Sequence, residues 1–254
     1  MKIATWNINS LRVRLPHILE WLDKTQPDVL ALQELKMEDK DFPVEIFKKL
    51  NYHVSFSGQK TYNGVAVISR TAISDPDMPD IDEQRRILAV TVHQDIRVIN
   101  IYVPNGEAVE SQKYPYKLNW LGHLKNYLHH ALAKYPKLVL LGDFNIAPED
   151  QDVYEPDLWR DKVLFSEPEK KALKEIAELG LHDSFRLFPQ APKSYSWWDY
   201  RTMAFRRNFG LRIDHILVSE ELKNSCEGCV IDKAPRAWER PSDHAPVVLT
   251  LRVV

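Results

Sequence analysis

Five short polar motifs, each at the edge of an apolar β-like run, hold the side chains that could do chemistry in this 254-residue chain. They are Trp6-Asn7-Ile8-Asn9, Gln33-Glu34, Gly142-Asp143-Phe144-Asn145, Arg212-Ile213-Asp214-His215 and Ser242-Asp243-His244. Together they supply four carboxylates, four amides and two histidines, with no cysteine or lysine nucleophile and one serine that has no base set against it. Carboxylates, amides and a histidine are what a divalent-metal site needs to attack a phosphodiester with water.

Each motif also has a plainer reading. Asp143 and Asn145 follow Leu138-Val139-Leu140-Leu141, and a strand's period of two puts both on one side of the sheet's end. A carboxylate beside an amide can orient a water and donate to a phosphate oxygen, but Gly, Asp and Asn also make simple turns. Asn7 and Asn9 repeat the pattern after the first strand, where Asn9 would equally serve an Asx-turn or a helix cap. Glu34 closes Val29-Leu30-Ala31-Leu32 and is either solvated or held by a cation. Arg212, Asp214 and Ile216 share one strand face, with Ile213, His215 and Leu217 on the other. A carboxylate inside that apolar run is expensive unless paired, and its natural partner is His244.

The elements that must position these groups are strands and helices in alternation. Strand runs are Lys2–Trp6, Asp28–Gln33, Gly64–Ser69, Ile87–Val92, Arg97–Val103, Leu138–Leu141, Leu211–Ser219 and Val247–Val253. Most are nearly continuous apolar stretches, as in strands buried on both faces. In Arg97–Val103, Tyr102 shares a face with Asn100 and Val98. Leu118, Leu121, Leu124, Leu128 and Leu132 form one helical stripe, within a helix over 116–134. Ala172, Leu173, Ile176, Ala177 and Leu179 form another, closed by Gly180. A shorter helix begins at Pro16. No linker or repeat divides the chain, so the pattern predicts one α/β domain over residues 1–254, with two packed sheets and helices outside. The acidic segment 149–171 has no clean period and reads as a long loop beside a polar motif.

Composition narrows the class. Apolar residues at 44% and charged residues at 28% are those of an ordinary globular protein. A net charge of −2 and an isoelectric point near 6.5 argue against a module that holds DNA by phosphate neutralisation alone. The start shows no cleavable signal and no stretch is long enough to span a bilayer, so a cytoplasmic protein without a membrane partner is the expectation. Cys226 and Cys229 lack two further ligands at zinc spacing and read as ordinary thiols in a β-region connection.

Taken in order, the motifs make the chain recognisable. Lys2-Ile3-Ala4-Thr5-Trp6-Asn7, Leu32-Gln33-Glu34-Leu35-Lys36, Leu140-Leu141-Gly142-Asp143-Phe144-Asn145-Ile146, Gly210-Leu211-Arg212-Ile213-Asp214 and Pro241-Ser242-Asp243-His244-Ala245-Pro246-Val247 span the whole chain. The chain resembles the exonuclease III family of apurinic/apyrimidinic endonucleases, within the metal-dependent phosphodiesterase superfamily that includes DNase I. The resemblance implies a four-layer α/β sandwich of two packed mixed β-sheets flanked by helices. It implies Mg²⁺-dependent hydrolysis of DNA phosphodiesters in base excision repair, with Mn²⁺ as an alternative ion. The substrate would be double-stranded DNA with abasic or 3′-blocked lesions, and the enzyme a monomer.

The family pattern assigns roles residue by residue. Glu34 falls at the principal metal ligand, Asn7 assists the metal and the catalytic Asp, and Asp243 stands at a second candidate metal position. Asp143 falls at the attacking water or leaving oxygen, Asn145 and Tyr102 at the scissile phosphate, and Asp214 orients His244. Trp197, Leu211 and Ile213 would line a pocket for a flipped-out, base-less sugar. Arg12, Arg14, Arg206 and Arg207 are phosphate-contact candidates. Asn9 departs from members that carry Asp, and the stretch around Asp152–Phe165, with Leu164, is variable. Three alternatives stand beside this: a specialised 3′-end exonuclease or phosphodiesterase with little abasic-site activity, a superfamily phosphodiesterase acting on an inositol phosphate or lipid, and a DNA-binding module with weakened catalysis.

Overall fold

A computed structural model describes residues 1–253. Twelve strands form two six-stranded sheets. The first runs, in spatial order, β11 (Cys226–Ile231), β12 (Val247–Leu251), β1 (Lys2–Asn7), β2 (Val29–Gln33), β4 (Val65–Ser69) and β3 (His53–Ser57). The second runs β5 (Ser74–Asp77), β6 (Ile87–Val92), β7 (Ile96–Tyr102), β8 (Leu138–Asp143), β10 (Asp214–Ser219) and β9 (Leu181–Asp183). Only β1–β2 and β7–β8 pair in parallel, so both sheets are mixed. The helices are α1 (Leu11–Thr25), α2 (Val44–Lys49), α3 (Lys113–Lys134), α4 (Pro156–Trp159), α5 (Glu167–Ala177), α6 (Ala204–Arg207) and α7 (Glu220–Lys223).

The burial pattern explains the layering. One face of each sheet meets the other sheet: Ile3, Val29, Ala31, Val65 and Val67 pack against Val90, Val98, Val139, Leu141 and Ile216. The alternate residues face outward to helices. Trp6, Leu30, Leu32 and Ile68 pack with Ile18, Trp21 and Leu22 of α1, while Ile99, Ile101, Leu138 and Leu140 pack with Leu121, Leu124 and Leu128 of α3. Both strand faces are therefore dry, which is why these strands read as unbroken apolar runs. The result is the expected four-layer α/β sandwich.

One buried polar cluster ties the sheets together beside the motifs. Gln33 donates to Thr5 Oγ1 at 2.8 Å and to Asn100 Oδ1 at 2.7 Å. Asn100 in turn donates to the carbonyls of Leu32 and Ala66 at 2.9 Å each. Buried amides must be paired, so these bonds set how the ends of β1, β2, β4 and β7 sit across the sandwich. Tyr102, two residues on along the Asn100 face, comes out at the same end.

The first helix departs from expectation. It begins at Leu11 and runs through Pro16 instead of starting there. The missing proline N–H leaves the Arg12 carbonyl without its helical partner. Arg12 and Pro16 are both exposed, so water can serve that carbonyl.

Candidate active site

The motifs converge where the parallel strand pairs end. Asn7 closes β1, Glu34 follows β2, Tyr102 closes β7 and Asp143 closes β8. Asp214 opens β10 directly opposite Asp143 in the antiparallel register, and His244 lies three residues before β12. Ligands of open α/β sheets commonly bind at such carboxyl ends. Gly142 has a structural reason to precede Asp143: its φ is +144°, and a Cβ there would lie 1.9 Å from the Ile101 carbonyl oxygen of β7. Only glycine lets the two strands approach so closely.

Asn7 is the centre of the cluster. Its Nδ2 donates to Glu34 Oε1 and to Asp143 Oδ2, both at 2.9 Å. Its Oδ1 accepts from the Asn9 backbone N–H at 3.0 Å. One lone pair of that oxygen is therefore engaged, and the amide nitrogen orients two carboxylates. Asp143 and Asn145 are together, but not by strand alternation. The strand ends at Asp143, Asn145 adopts φ +50°, and its N–H donates back to Asp143 Oδ1 at 2.9 Å. That Asx-turn aims the Asn145 side-chain amide at Asp143 Oδ2, 3.3 Å away. The turn reading of this motif thus holds, and the turn sets the two side chains together.

Asp214 and His244 pair as expected. His244 Nδ1 lies 2.9 Å and 3.1 Å from the two Asp214 oxygens, and Nε2 faces Asp143 Oδ2 at 3.8 Å. Burial alone would lower the imidazole pKa, but the Asp214 and Asp143 carboxylates overcome it and push it up to about 10. Burial pushes the Asp143 carboxyl up to about 7, with Asp214 adding to the rise and His244 and Asn7 opposing it. Tyr102 is held protonated well above its usual range, first by burial and then by Glu34 and Asp143. It is a hydrogen-bond donor at any working pH.

Several assigned residues sit elsewhere than the strand pattern predicts. Arg212 does not share the Asp214 side. It turns to Asp152, with Nε 2.6 Å from Oδ1, and to Asp183, 2.8 Å away, while its Nη1 lies 3.0 Å from His215 Nδ1. Extended alternation starts only at Asp214, which explains the difference. Asp243 accepts from Asn9 Nδ2 and Trp197 Nε1 at 3.0 Å each, away from the group of Glu34, Asp143 and His244. Asn9 therefore anchors Asp243 and does not cap α1. Arg14 is spent on the Asn9 and Pro241 carbonyls and the Tyr200 hydroxyl, so it clamps loops. Arg206 and Arg207 are exposed, and so is Arg12, whose guanidinium lies 3.8 Å from Asp41 Oδ2. Leu211 and Ile213 are buried with Leu164 and Phe165, and Trp197 packs on them half-exposed. Trp198 is core. Cys226 and Cys229 are free thiols on an edge strand, where burial drives their pKa up to about 11 and about 12.

Sequence reasoning missed several partners. Ser196 donates to Asp214 Oδ2 at 2.7 Å and accepts from the Ile213 and Asp214 N–H groups. Lys36 pairs with Glu34 Oε2 at 2.8 Å and donates to Asn9 Oδ1 at 2.6 Å. Asn105 donates to Asn145 Oδ1 at 3.1 Å. Asn105 closes the Tyr102-Val103-Pro104-Asn105 run and was within reach of a motif reading, whereas Ser196 carries no local signal.

Ligand atoms of Glu34, Asp143 and His244 lie within 4.8 Å of one another. Both histidine nitrogens point at carboxylates, which leaves a hard-oxygen donor set from Glu34 and Asp143 that fits Mg²⁺ or Mn²⁺ better than a thiophilic ion. Two dry sheets ending in such a cluster define a metal-dependent phosphodiesterase. The Endonuclease/Exonuclease/phosphatase family profile matches residues 4–244, and the chain belongs to that family of enzymes. It is 40% identical to exodeoxyribonuclease III of Haemophilus influenzae over 97% of this chain and 98% of that one. The 3′ phosphatase NExo from Neisseria, solved with a product DNA hairpin, superposes with a TM-score of 0.97 at 44% identity over 100% of both chains. An AP endonuclease from Archaeoglobus fulgidus gives 0.96 at 40% identity, again over 100% of both.

Proposed function

We propose that this chain hydrolyses DNA phosphodiesters with Mg²⁺, cutting 5′ to abasic sites and processing 3′ ends in base excision repair. The carrying observation is the convergence of Glu34 and Asp143 on one donor, Asn7, with the Asp214–His244 pair directly beside them. It acts as a monomer in the cytoplasm, on double-stranded DNA with abasic or 3′-blocked lesions, and Mn²⁺ substitutes for Mg²⁺. The relatives named above, an exodeoxyribonuclease III, a 3′ phosphatase and an AP endonuclease, support this reading.

A cation bound by Glu34, on the Asp143 side, supplies neutralisation of the phosphate's charge. The chain's own groups do the rest. Tyr102 donates to a non-bridging phosphate oxygen, and the Asn145 amide, held by the Val103 carbonyl at 3.0 Å, turns its second hydrogen from Asp143 to the phosphate. The His244 imidazolium, fixed through Nδ1 by Asp214, presents Nε2–H to the same charge. Asp143 takes the proton of the attacking water as its oxygen bonds to phosphorus; the P–O3′ bond breaks, and the departing 3′ oxygen takes a proton from the His244 imidazolium or from water. No covalent intermediate is needed, which fits the absence of a placed nucleophile. Trp197 and the exposed Arg12, Arg206 and Arg207 contact the DNA around the cut.

A specialised 3′-end enzyme is the second reading. One observation favours it: Leu164 and Phe165 pack over Leu211 and Ile213, so the apolar wall offered to a base-less sugar is reduced mainly to Trp197. Parallel rates on duplexes with an internal abasic site, a recessed 3′ end and a 3′-phosphate, each with Mg²⁺ and then EDTA, decide. Cleavage in EDTA, or of none of the three, would refute the proposal.

A further inference from the structure

Lys117 of α3 is fully buried and so is Glu169 of α5. A lysine taken wholly out of water is costly, and a hydrophobic pair of similar volume would hold two helices together equally well. All three ammonium donors are used. One meets the Asn145 carbonyl at 2.7 Å, one the Asn105 carbonyl at 3.1 Å, and one Glu169 Oε1. Asn105 and Asn145 are themselves joined through their side chains. Gly106 makes the room: a Cβ there would crowd both Lys117 Cδ and Val163 Cγ2 at 3.1 Å. On the far side, Glu169 accepts from the Leu164 and Ser166 N–H groups at 3.0 Å each. The Leu164 carbonyl accepts from Ala147, two residues past Asn145, at 2.7 Å. Leu164 holds φ +77°, a conformation a leucine keeps only when its surroundings impose it.

We propose that Lys117 is a positioning residue for phosphodiester cleavage: from beneath the site it fixes the Asn105 and Asn145 turns, and through Glu169 it ties them to the 149–171 segment. This rests on Asn145 as a phosphate contact. The ammonium and the Glu169 carboxylate cancel as a pair; their role is to set where the Asn145 amide and the adjoining Asp143 carboxylate point.

The test compares wild type, Lys117→Met and the double variant Lys117→Met/Glu169→Gln, with turnover normalised to folded protein by near-UV circular dichroism. Lys117→Met strands a buried carboxylate and loses both stability and turnover. The double variant leaves no charge unpaired, so its Tm rises above that of Lys117→Met. Its Asn145 carbonyl still lacks the ammonium, so kcat stays roughly 10- to 100-fold below wild type with KM within about threefold, as small misplacements cost. The Asn145 side-chain amide signals shift in its ¹⁵N–¹H spectrum. If Lys117→Met does not fold, the double variant carries the comparison. Wild-type kcat with unmoved Asn145 signals in the double variant would overturn the inference. So would a double variant no more stable than the single and equally inactive, since turnover would then follow folding alone. Wild type that cuts no DNA refutes the proposed function instead, and the spectrum still reads the positioning.

Discussion

Asn7→Ala removes one side chain and disturbs two carboxylates at once. Nδ2 bonds Glu34 and Asp143 at 2.9 Å each, and both acceptors carry charge. A hydrogen bond to a charged group contributes about 1.5–3 kcal/mol. The Asn7 bond favours the ionised form of Asp143, whose carboxyl already sits up at about 7 because it is buried. Without the bond, ionisation becomes harder and the pKa moves further up. At about 1.4 kcal/mol per unit, the shift is roughly 1–2 units. The active form of a general base is the ionised one, so the acid limb of kcat/KM must move to higher pH by that amount. Below the limb the rate falls about 10- to 100-fold, and above it the deficit narrows. The assay is kcat/KM on a cleavable duplex at saturating Mg²⁺ for wild type and variant, from about pH 5.5 to 9.5. An acid limb that stays in place, or shifts to lower pH, would show that Asn7 does not act through Asp143.

Asp143→Asn keeps the shape of the pocket and removes the base, so cleavage falls by about 10²–10⁴ while duplex affinity holds within about threefold; near-normal turnover would remove Asp143 from its role. Trp197→Ala, at the half-exposed edge of the apolar cluster, weakens discrimination for abasic sites more than 3′-end trimming, and equal losses on both duplexes would count against that placement. Asp183 is held below the usual carboxylate range because Arg212 and His215 outweigh the cost of burial. Its stabilising contribution is therefore complete above about pH 4 and drains away as pH falls through the lowered value. Asp183→Asn should unfold more easily than wild type at neutral pH and show a smaller further loss in acid; parallel stability–pH curves for the two proteins would contradict this.

The buried strands were legible and the exposed ones were not. All four strands absent from the sequence reading, β3, β5, β9 and β11, are the outermost strands of their sheets. An edge strand has one unpaired side and wet side chains, so its composition drifts toward charge, proline and glycine. Ser74–Asp77 contains Pro76 and is exposed throughout, and Cys226–Ile231 carries a register shift at Gly228. The site shows the same division. Asn7, Glu34, Asp143 and His244 announce themselves because polar groups end apolar runs. Lys117 and Ser196 do not, because their partners arrive from distant parts of the chain and only burial gives them meaning. Arg212 misled for a related reason, since period-two counting was carried past the true start of β10. Lys36 was missed although it lies two residues from Glu34, because a lysine after a strand ordinarily faces water.

A metal titration of Glu34→Gln tests most directly whether Glu34 holds a catalytic cation for DNA cleavage beside the Asp143 base. Initial rates of DNA cleavage would be measured against Mg²⁺ concentration for wild type and variant, alongside Mn²⁺ binding followed by electron paramagnetic resonance. Loss of an outer-shell partner already costs roughly 10- to 100-fold in metal affinity, so loss of the ligand itself predicts at least a tenfold higher half-saturating Mg²⁺ and weaker Mn²⁺ binding in the variant. Identical metal curves for the two proteins, or wild-type cleavage that survives EDTA, would contradict it.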